Sequence, residues 1–294
     1  MEADLARVEA ALRGAVRTED EYLTELASHL IVAGGKRLRP VVAMAAASTR
    51  GAVTDDVVQG GVSVELVHLG SLYHDDVMDE ADTRRGVETV NAKWGNLQAI
   101  LAGDFLLSRA SEIAASLGTE IAALLANTIG RLCYGEIGQL RRTYSAARTE
   151  AEYLESIGGK TASLFSTAAR IGALVGGLDR PDVEALTSFG HAFGMVFQIV
   201  DDVLDLTATE AQLGKPAGHD LVEGVYTLPV IRTLAAGGTA AAELRDLLGR
   251  PLEQVEVGTH YVARAVDACG GLPDGPAANA LRAAPGALLA TVAA

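Results

Sequence analysis

The sequence predicts an all-α protein, and three observations carry that expectation. Alanine and leucine dominate a 294-residue chain that is 49% hydrophobic but only 4% aromatic. Apolar residues recur at helical spacing, as in Leu5, Val8, Leu12 and Val16. The alternation of β-branched and aromatic residues that marks a half-buried strand is rare.

The elements follow in order. Segment 4–33 continues the helical spacing through Leu23, Leu26 and Leu30, and Gly34-Gly35 ends it. Pro40 suits the first turn of the next helix, about 40–49, whose small apolar residues predict burial. Asp55-Asp56 opens a helix that runs through Glu65 and His68 into an acidic motif, and a polar loop follows over 80–90. Further helices are expected over 95–117, 119–141, 149–157, 160–176, 181–206 and 220–236. The breaks are Gly118, the polar run 142–148, Gly158-Gly159, Gly176-Gly177 and the loop 207–219. Segment 237–294 has weaker patterning, punctuated by Gly237-Gly238, Pro251 and Gly270-Gly271-Leu272-Pro273. There is no repeat of fixed period and no low-complexity linker. Length by itself allows about two domains. The two acidic motifs described next make sense only if they converge, so a single domain over 1–294 with one large core is expected.

Those motifs organise the chain. His74-Asp75-Asp76-Val77-Met78-Asp79 is echoed by Asp201-Asp202-Val203-Leu204-Asp205, and both read DDxxD in apolar helical sequence. Residues four apart share a helix face, so Asp75 pairs with Asp79 and Asp201 with Asp205. Like charges at that spacing repel, and carboxylates on an apolar face need a counter-charge. Hard divalent cations take oxygen ligands, so two facing clusters suit Mg²⁺ with room left for phosphates. The plain alternative, a solvated acidic helix face, loses ground because the motif is doubled and basic residues follow each copy.

Three cations in Gly34-Gly35-Lys36-Arg37-Leu38-Arg39-Pro40 precede a helix start, where free backbone N–H groups also favour anions. The segment lacks the G-x-x-x-x-G-K-[ST] spacing of nucleotide-binding loops. Arg84-Arg85-Gly86 follows the first motif and could grip phosphate oxygens bidentately. Lys160-Thr161, Lys215 and Gln198, one turn before Asp201, are further phosphate candidates, each of a type commoner on plain surfaces. His68 lies two turns before Asp75 on its face and is a candidate substrate contact. His74 lies off that face and is expected to pack or to orient Asp76. No Ser, Cys or His spacing suggests a nucleophilic triad.

Net charge of -14 argues against non-specific nucleic-acid binding. Cys133 and Cys269 make neither a disulfide framework nor a metal pair. Glu2, Asp4 and Arg7 do not resemble a signal peptide, and apolar runs are interrupted short of the roughly 18 residues of a membrane span. No transmembrane segment and a cytoplasmic location are therefore expected.

Taken together, Gly34–Pro40, His68 to Gly86, Asn91-Ala92-Lys93-Trp94-Gly95, Ala102-Gly103-Asp104, Lys160-Thr161 and Phe197 to Asp205 with Gly214-Lys215 resemble the trans-isoprenyl diphosphate synthases, the polyprenyl synthetase family. The likeness runs from about residue 5 to 235. It implies an all-α isoprenoid synthase fold around a central cavity, usually a homodimer. It implies head-to-tail condensation of isopentenyl diphosphate with an allylic diphosphate. In that resemblance Asp75, Asp79 and Asp201 bind Mg²⁺, supported by Asp76 and Asp205. Arg84, Lys160, Gln198 and Lys215 belong to the allylic diphosphate, Lys36, Arg39, His68 and Arg85 to isopentenyl diphosphate, and Thr161 is a further substrate-binding residue. The sequence departs from the pattern at Val225, where some members carry lysine, and after about 240. The small residues Gly70 and Ser71, just before the first motif, go in the family with longer products. A medium- or long-chain all-trans polyprenyl diphosphate is expected, with geranylgeranyl diphosphate as the runner-up. A class I terpene cyclase and a non-catalytic partner subunit are the rivals from other classes. The all-aspartate second motif and the second basic site oppose the former, and retention of both motifs opposes the latter.

Overall fold

The computed structural model describes residues 2–207 and 218–248. Apart from one small hairpin, the regular elements among them are helices. Helices α1 (Glu2–Ala15) and α2 (Glu21–Val32) divide the first apolar segment, because Asp20 accepts hydrogen bonds from the Tyr22 and Leu23 amides and starts a new helix. Then come α3 (Leu38–Ser48) and α4 (Asp55–Met78), the latter capped by Thr54, whose side chain accepts from the Val57 amide. The loop expected over 80–90 contains β1 (Thr83–Arg84) and β2 (Val87–Glu88), paired antiparallel. Arg85 (φ 55°) and Gly86 (φ 75°) turn the hairpin in left-handed geometry, the form that fits the strand twist. Next are α5 (Val90–Trp94), α6 (Asn96–Leu117), α7 (Thr119–Leu140) and α8 (Glu150–Ile157), which begins with a reciprocal Thr149–Glu152 capping box. Gly158-Gly159 does not break the chain as expected. It opens a π-helical turn, Gly158–Ala162, that leads directly into α9 (Ser163–Val175). After α10 (Arg180–Thr207) come α11 (His219–Val222), α12 (Leu228–Ala236) and α13 (Gly238–Leu247), so the single helix expected over 220–236 is two.

The described residues form two compact units, one of the chain up to Cys133 with Lys160–Gly194, the other of Tyr134–Gly159 with the chain from Met195. In the first unit α4 is the central element. It is buried nearly all round from Val57 to Tyr73 and packs against α1, α3, α6 and α9. Small residues set these contacts. A Cβ on Gly172 of α9 would lie 2.6 Å from the carbonyl carbon of Ala43 on α3. In the second unit Tyr153 and Ile157 of α8 pack on Ile231 of α12, and Leu221, Tyr226, Val230, Leu234, Leu244 and Leu248 form a second cluster.

Arg180–Leu206 of α10 is long and apolar enough to cross a membrane by length and composition. The same helix places Gly190 and Gly194 against Phe165 and Ala162, and ends in three aspartates.

Gly172→Ala tests the α3–α9 contact. Alanine in a helix interior is ordinarily about 1 kcal/mol better than glycine. Here the added methyl overlaps the Ala43 peptide, and overpacking of this kind costs about 1–3 kcal/mol. The urea midpoint should fall with an unchanged slope. A midpoint at or above wild type would show that the two backbones can separate freely.

Candidate functional site

In the first unit, four basic or polar side chains gather around one carboxylate. Glu65, in the middle of α4, is 1% exposed. Arg37 sits in a left-handed conformation (φ 47°) at the start of α3 and is buried. Its Nη1 donates to Glu65 Oε1 at 3.2 Å, its Nε to Glu9 Oε1 at 2.6 Å and its Nη2 to the Ile31 carbonyl at 3.0 Å. Arg37 is thus fully engaged inside the protein. Arg39, two residues on, is different. Its guanidinium lies 4.7 Å from the Phe165 ring centroid, and its buried Nε has no hydrogen-bond partner. Burial pushes its pKa down to about 10, opposed by Glu65 and reinforced by Arg85. Arg85 comes from the hairpin turn. Its Nη1 donates to the carbonyls of Leu30, at 3.2 Å, and Gly34. Its pKa is lowered by burial first and by Arg37 and Arg84 next. Gly35 makes room for it, since a Cβ there would sit 2.8 Å from Arg85 Nη1. His68 lies one turn beyond Glu65 on α4. Burial, then the neighbouring arginines, hold its pKa well below the usual histidine range, so it is neutral at pH 7. One carboxylate serves three guanidinium groups here, Glu9 helps only Arg37, and the excess charge favours an anion.

The first aspartate motif ends α4. Asp75 is half-buried and Asp79, the C-cap, is exposed. Asp76 turns inward. It is buried, paired with Arg84, and its main-chain carbonyl accepts from Asn91 Nδ2 at 3.1 Å. Burial raises its pKa against the pull of Arg84. The Asp76 carboxylate is thus held by Arg84 on the inner side of the motif. His74 does not orient Asp76. Its Nε2 reaches the Ile100 carbonyl at 3.2 Å and Asp104 at 3.4 Å on α6.

The second motif belongs to the second unit. Asp201 is exposed, and Asp202 and Asp205 are buried. Asp205 Oδ2 accepts from the Asp220 amide at 3.2 Å. Gln198, expected at a phosphate, donates its Nε2 to Asp202 Oδ1 at 2.7 Å. The Tyr153 hydroxyl donates to Asp202 Oδ2 at 2.6 Å. Burial raises the pKa of Asp202, and the two donors oppose that rise.

Of the remaining candidates, Lys36 is exposed in the turn before α3, and Lys160 and Thr161 lie in the π-helical turn of the first unit. Lys215 lies outside the described residues. Ser71 is half-buried and donates to the His68 carbonyl of its own helix at 2.9 Å. Gly70 opens no slot. A Cβ there would stand 3.0 Å from the Gly103 carbonyl oxygen and 3.2 Å from Leu107, so its smallness serves the approach of α4 to α6. Among the described residues, no three or more His, Cys, Asp or Glu side chains form an all-protein metal cage. Paired carboxylates at each motif, with further positions left to a phosphate ligand, still fit Mg²⁺, which is ordinarily held by one or two carboxylates plus substrate oxygens. Sequence reasoning missed Glu65, Arg148 and Tyr153 as partners of the site. Glu65 could have been flagged by its charge inside an apolar helix, whereas Arg148 and Tyr153 stand among polar residues and carry no such signal.

The sequence profile of the family "Polyprenyl synthetase" matches residues 20–264. Heptaprenyl diphosphate synthase component 2 of Geobacillus stearothermophilus is 42% identical over 240 residues, 81% of this chain and 75% of that protein. Nonaprenyl diphosphate synthase of Mycobacterium tuberculosis is 38% identical over 253 residues, 85% of this chain and 75% of that protein. The crystal structure of a polyprenyl synthase from Caulobacter crescentus, complexed with calcium and isoprenyl diphosphate, superposes with a TM-score of 0.81 at 34% identity, covering 97% of this chain and 93% of that one.

Whatever ligand the arginines take, removing their shared carboxylate should be costly. Breaking a buried ion pair from one side typically costs about 3–5 kcal/mol, because the orphaned charge stays buried. Glu65→Leu should show that loss in guanidinium-induced unfolding, and inorganic diphosphate should restore part of it. A loss near the about 0–1 kcal/mol of a surface pair would show that the arginines are neutralised elsewhere.

Proposed function

The chain belongs to the polyprenyl synthetase family, with the all-α isoprenoid synthase fold, and on that premise we propose that it is a Mg²⁺-dependent prenyltransferase. It condenses isopentenyl diphosphate with an allylic diphosphate to give a medium- or long-chain all-trans polyprenyl diphosphate. The observation that carries this reading is the arginine cluster around Glu65, set in the same unit as the outward pair Asp75 and Asp79. An acidic chain that concentrates under-compensated guanidinium groups beside outward carboxylates is equipped for a metal-bound polyphosphate. The relatives named above as heptaprenyl and nonaprenyl diphosphate synthases support the longer product.

On the family resemblance, Asp75, Asp79 and Asp201 would hold Mg²⁺, supported by Asp76 and Asp205. Bound Mg²⁺ supplies Lewis-acid stabilisation of the charge that develops on the departing diphosphate. Arg84, Lys160, Thr161 and Lys215 hold the allylic diphosphate. Gln198 orients the second motif through Asp202, and the other N–H of its amide donates to the same ligand. Lys36, Arg39 and Arg85 hold isopentenyl diphosphate, and neutral His68 donates one ring N–H. Apolar walls keep water from the allylic cation. Self-association as a cytoplasmic homodimer is supported by the exposed Leu97, Ile100 and Leu101 of α6. The word "component" in the name of the Geobacillus protein makes a two-chain enzyme the competing outcome, and light scattering of the active species separates the two.

Purified protein with both diphosphates and Mg²⁺ should yield an elongated diphosphate. A cyclic hydrocarbon or no product would overturn the reading. Asp75→Ala or Asp201→Ala should lower turnover at least about a hundredfold, the scale of losing one transition-state charge stabiliser, while unfolding midpoints stay near wild type. Near-normal turnover at saturating Mg²⁺ would remove the aspartates from the mechanism.

Product length has its own test. With Gly70 committed to α6, Ser71 is the small residue left one turn before Asp75. Ser71→Phe should shift dephosphorylated products to shorter chains on chromatography. A geranylgeranyl product from wild type, or an unchanged distribution in the variant, would place the ruler elsewhere.

A further inference from the structure

Asp202 is no metal ligand in the reading above, yet its carboxylate is buried and held at both oxygens. It is 4% exposed, and a donor reaches each of its oxygens, Tyr153 at 2.6 Å and Gln198 at 2.7 Å. Gln198 is on the same helix, one turn earlier. Tyr153 is not. It reaches across from α8, 49 residues earlier, and is 1% exposed. Behind it lies Arg148, 5% exposed, its guanidinium carbon 5.5 Å from the tyrosine ring centroid. Arg148 Nη1 donates to the Tyr226 carbonyl at 3.0 Å, but its buried Nε and Nη2 have no hydrogen-bond partner. A cation over the ring draws electron density from the phenol and strengthens its hydroxyl as a donor.

We propose that Tyr153 is a positioning residue for the second aspartate motif. Backed by Arg148, it clamps Asp202 from α8 and so fixes the rotation of α10 about its own axis. That rotation sets the direction in which the exposed Asp201 presents its carboxylate to a metal–diphosphate ligand, with the buried Asp205 in support. The ligand class rests on the prenyltransferase reading, and the clamp is in the structure. The geometry shows why rotation matters. Successive residues of a helix are about 100° apart, and side-chain ends lie about 5–6 Å from its axis. A turn of about 20° moves a carboxylate by about 2 Å, whereas Mg²⁺ demands near-ideal octahedral distances of about 2.1 Å. An anchor on the inward residue is therefore as consequential as the outward ligands.

Tyr153→Phe keeps the ring and removes the clamp. In the full chain, two measurements bear on it: thermal unfolding titrated with Mg²⁺ at fixed inorganic diphosphate, and steady-state kinetics against Mg²⁺ and isopentenyl diphosphate. Partners that orient metal ligands typically contribute about 10–100-fold in metal affinity. The Mg²⁺ needed for half-maximal thermal stabilisation should rise at least about tenfold, with the Mg²⁺ requirement of turnover rising in step. The Michaelis constant for isopentenyl diphosphate should stay within about twofold. A lowered unliganded melting temperature with an unmoved Mg²⁺ midpoint would reduce Tyr153 to a structural tether and overturn the proposal. Arg148→Met, which leaves the hydroxyl bond intact, should shift the midpoint in the same direction by a smaller factor. It decides the matter if Tyr153→Phe does not fold, an unmoved midpoint again overturning the clamp. Wild type that makes no elongated product would refute the prenyltransferase reading, while the thermal titration still judges the clamp. Wild type that gains no stability from Mg²⁺ with diphosphate would refute the clamp itself.

Discussion

A single buried carboxylate, Glu65, underlies the arrangement of the first unit. Taking an ion out of water costs several kcal/mol, and only close, well-aligned opposite charge offsets it. Glu65 meets this with Arg37, which simultaneously binds Glu9 of α1 and the last turn of α2. One guanidinium thus ties α4 to both N-terminal helices and holds the 34–37 turn in a left-handed form that a non-glycine residue seldom adopts. Two turns further along α4, the Tyr73 hydroxyl donates to the Leu26 carbonyl at 2.7 Å and accepts from the Leu30 amide at 3.3 Å. The Leu30 carbonyl in turn accepts from Arg85. Fold and site share these bonds, so the basic cluster is held in place before any ligand arrives.

The two aspartate motifs apply one geometric rule with different chemistry. In a helix the second residue of DDxxD points about 100° away from the first, so it faces the protein when the first faces outward. Asp76 is met there by a cation, Arg84, and Asp202 by two neutral donors, Tyr153 and Gln198. The inward residues are anchored by other side chains, and the outward ones are more exposed. That division separates Asp75, Asp79 and Asp201 from Asp76 and Asp202.

Helices were legible in the sequence because their apolar spacing and glycine punctuation are local signals. The motif residues were legible because identical carboxylates four apart have few structural uses. What escaped was non-local or ambiguous. The 83–88 hairpin turns on Arg85-Gly86 and not on an Asn-Gly pair, and its two-residue strands are too short to show alternation. Gly158-Gly159 reads as a break, but in the structure it opens a π-helical turn. Gly70 was read for what its smallness admits, while the structure uses it to bring two helices together. Glu65 pairs with a residue 28 positions away and Tyr153 with one 49 away, separations across which a single sequence carries no register.

The net charge of -14 and an anionic ligand are reconciled at the level of single guanidinium groups. Arg39 has a pKa near 10, well below the ordinary arginine value of 12.5. At pH 7 that still leaves only about one molecule in a thousand neutral, because three pKa units correspond to about 4 kcal/mol. Arg39 is therefore charged yet stripped of much of its water, with a donor left over. An exposed lysine on the same chain would be hydrated and screened beyond about 8 Å at physiological salt. For Arg39 the dehydration has been completed by folding, with Glu65 and the Phe165 ring offsetting part of its cost. An arriving diphosphate then meets a charge that need not be dehydrated again, in surroundings where attraction is stronger than in water. Distant acidic residues weaken that attraction little, so an acidic chain can hold a strongly anionic ligand through a few buried arginines.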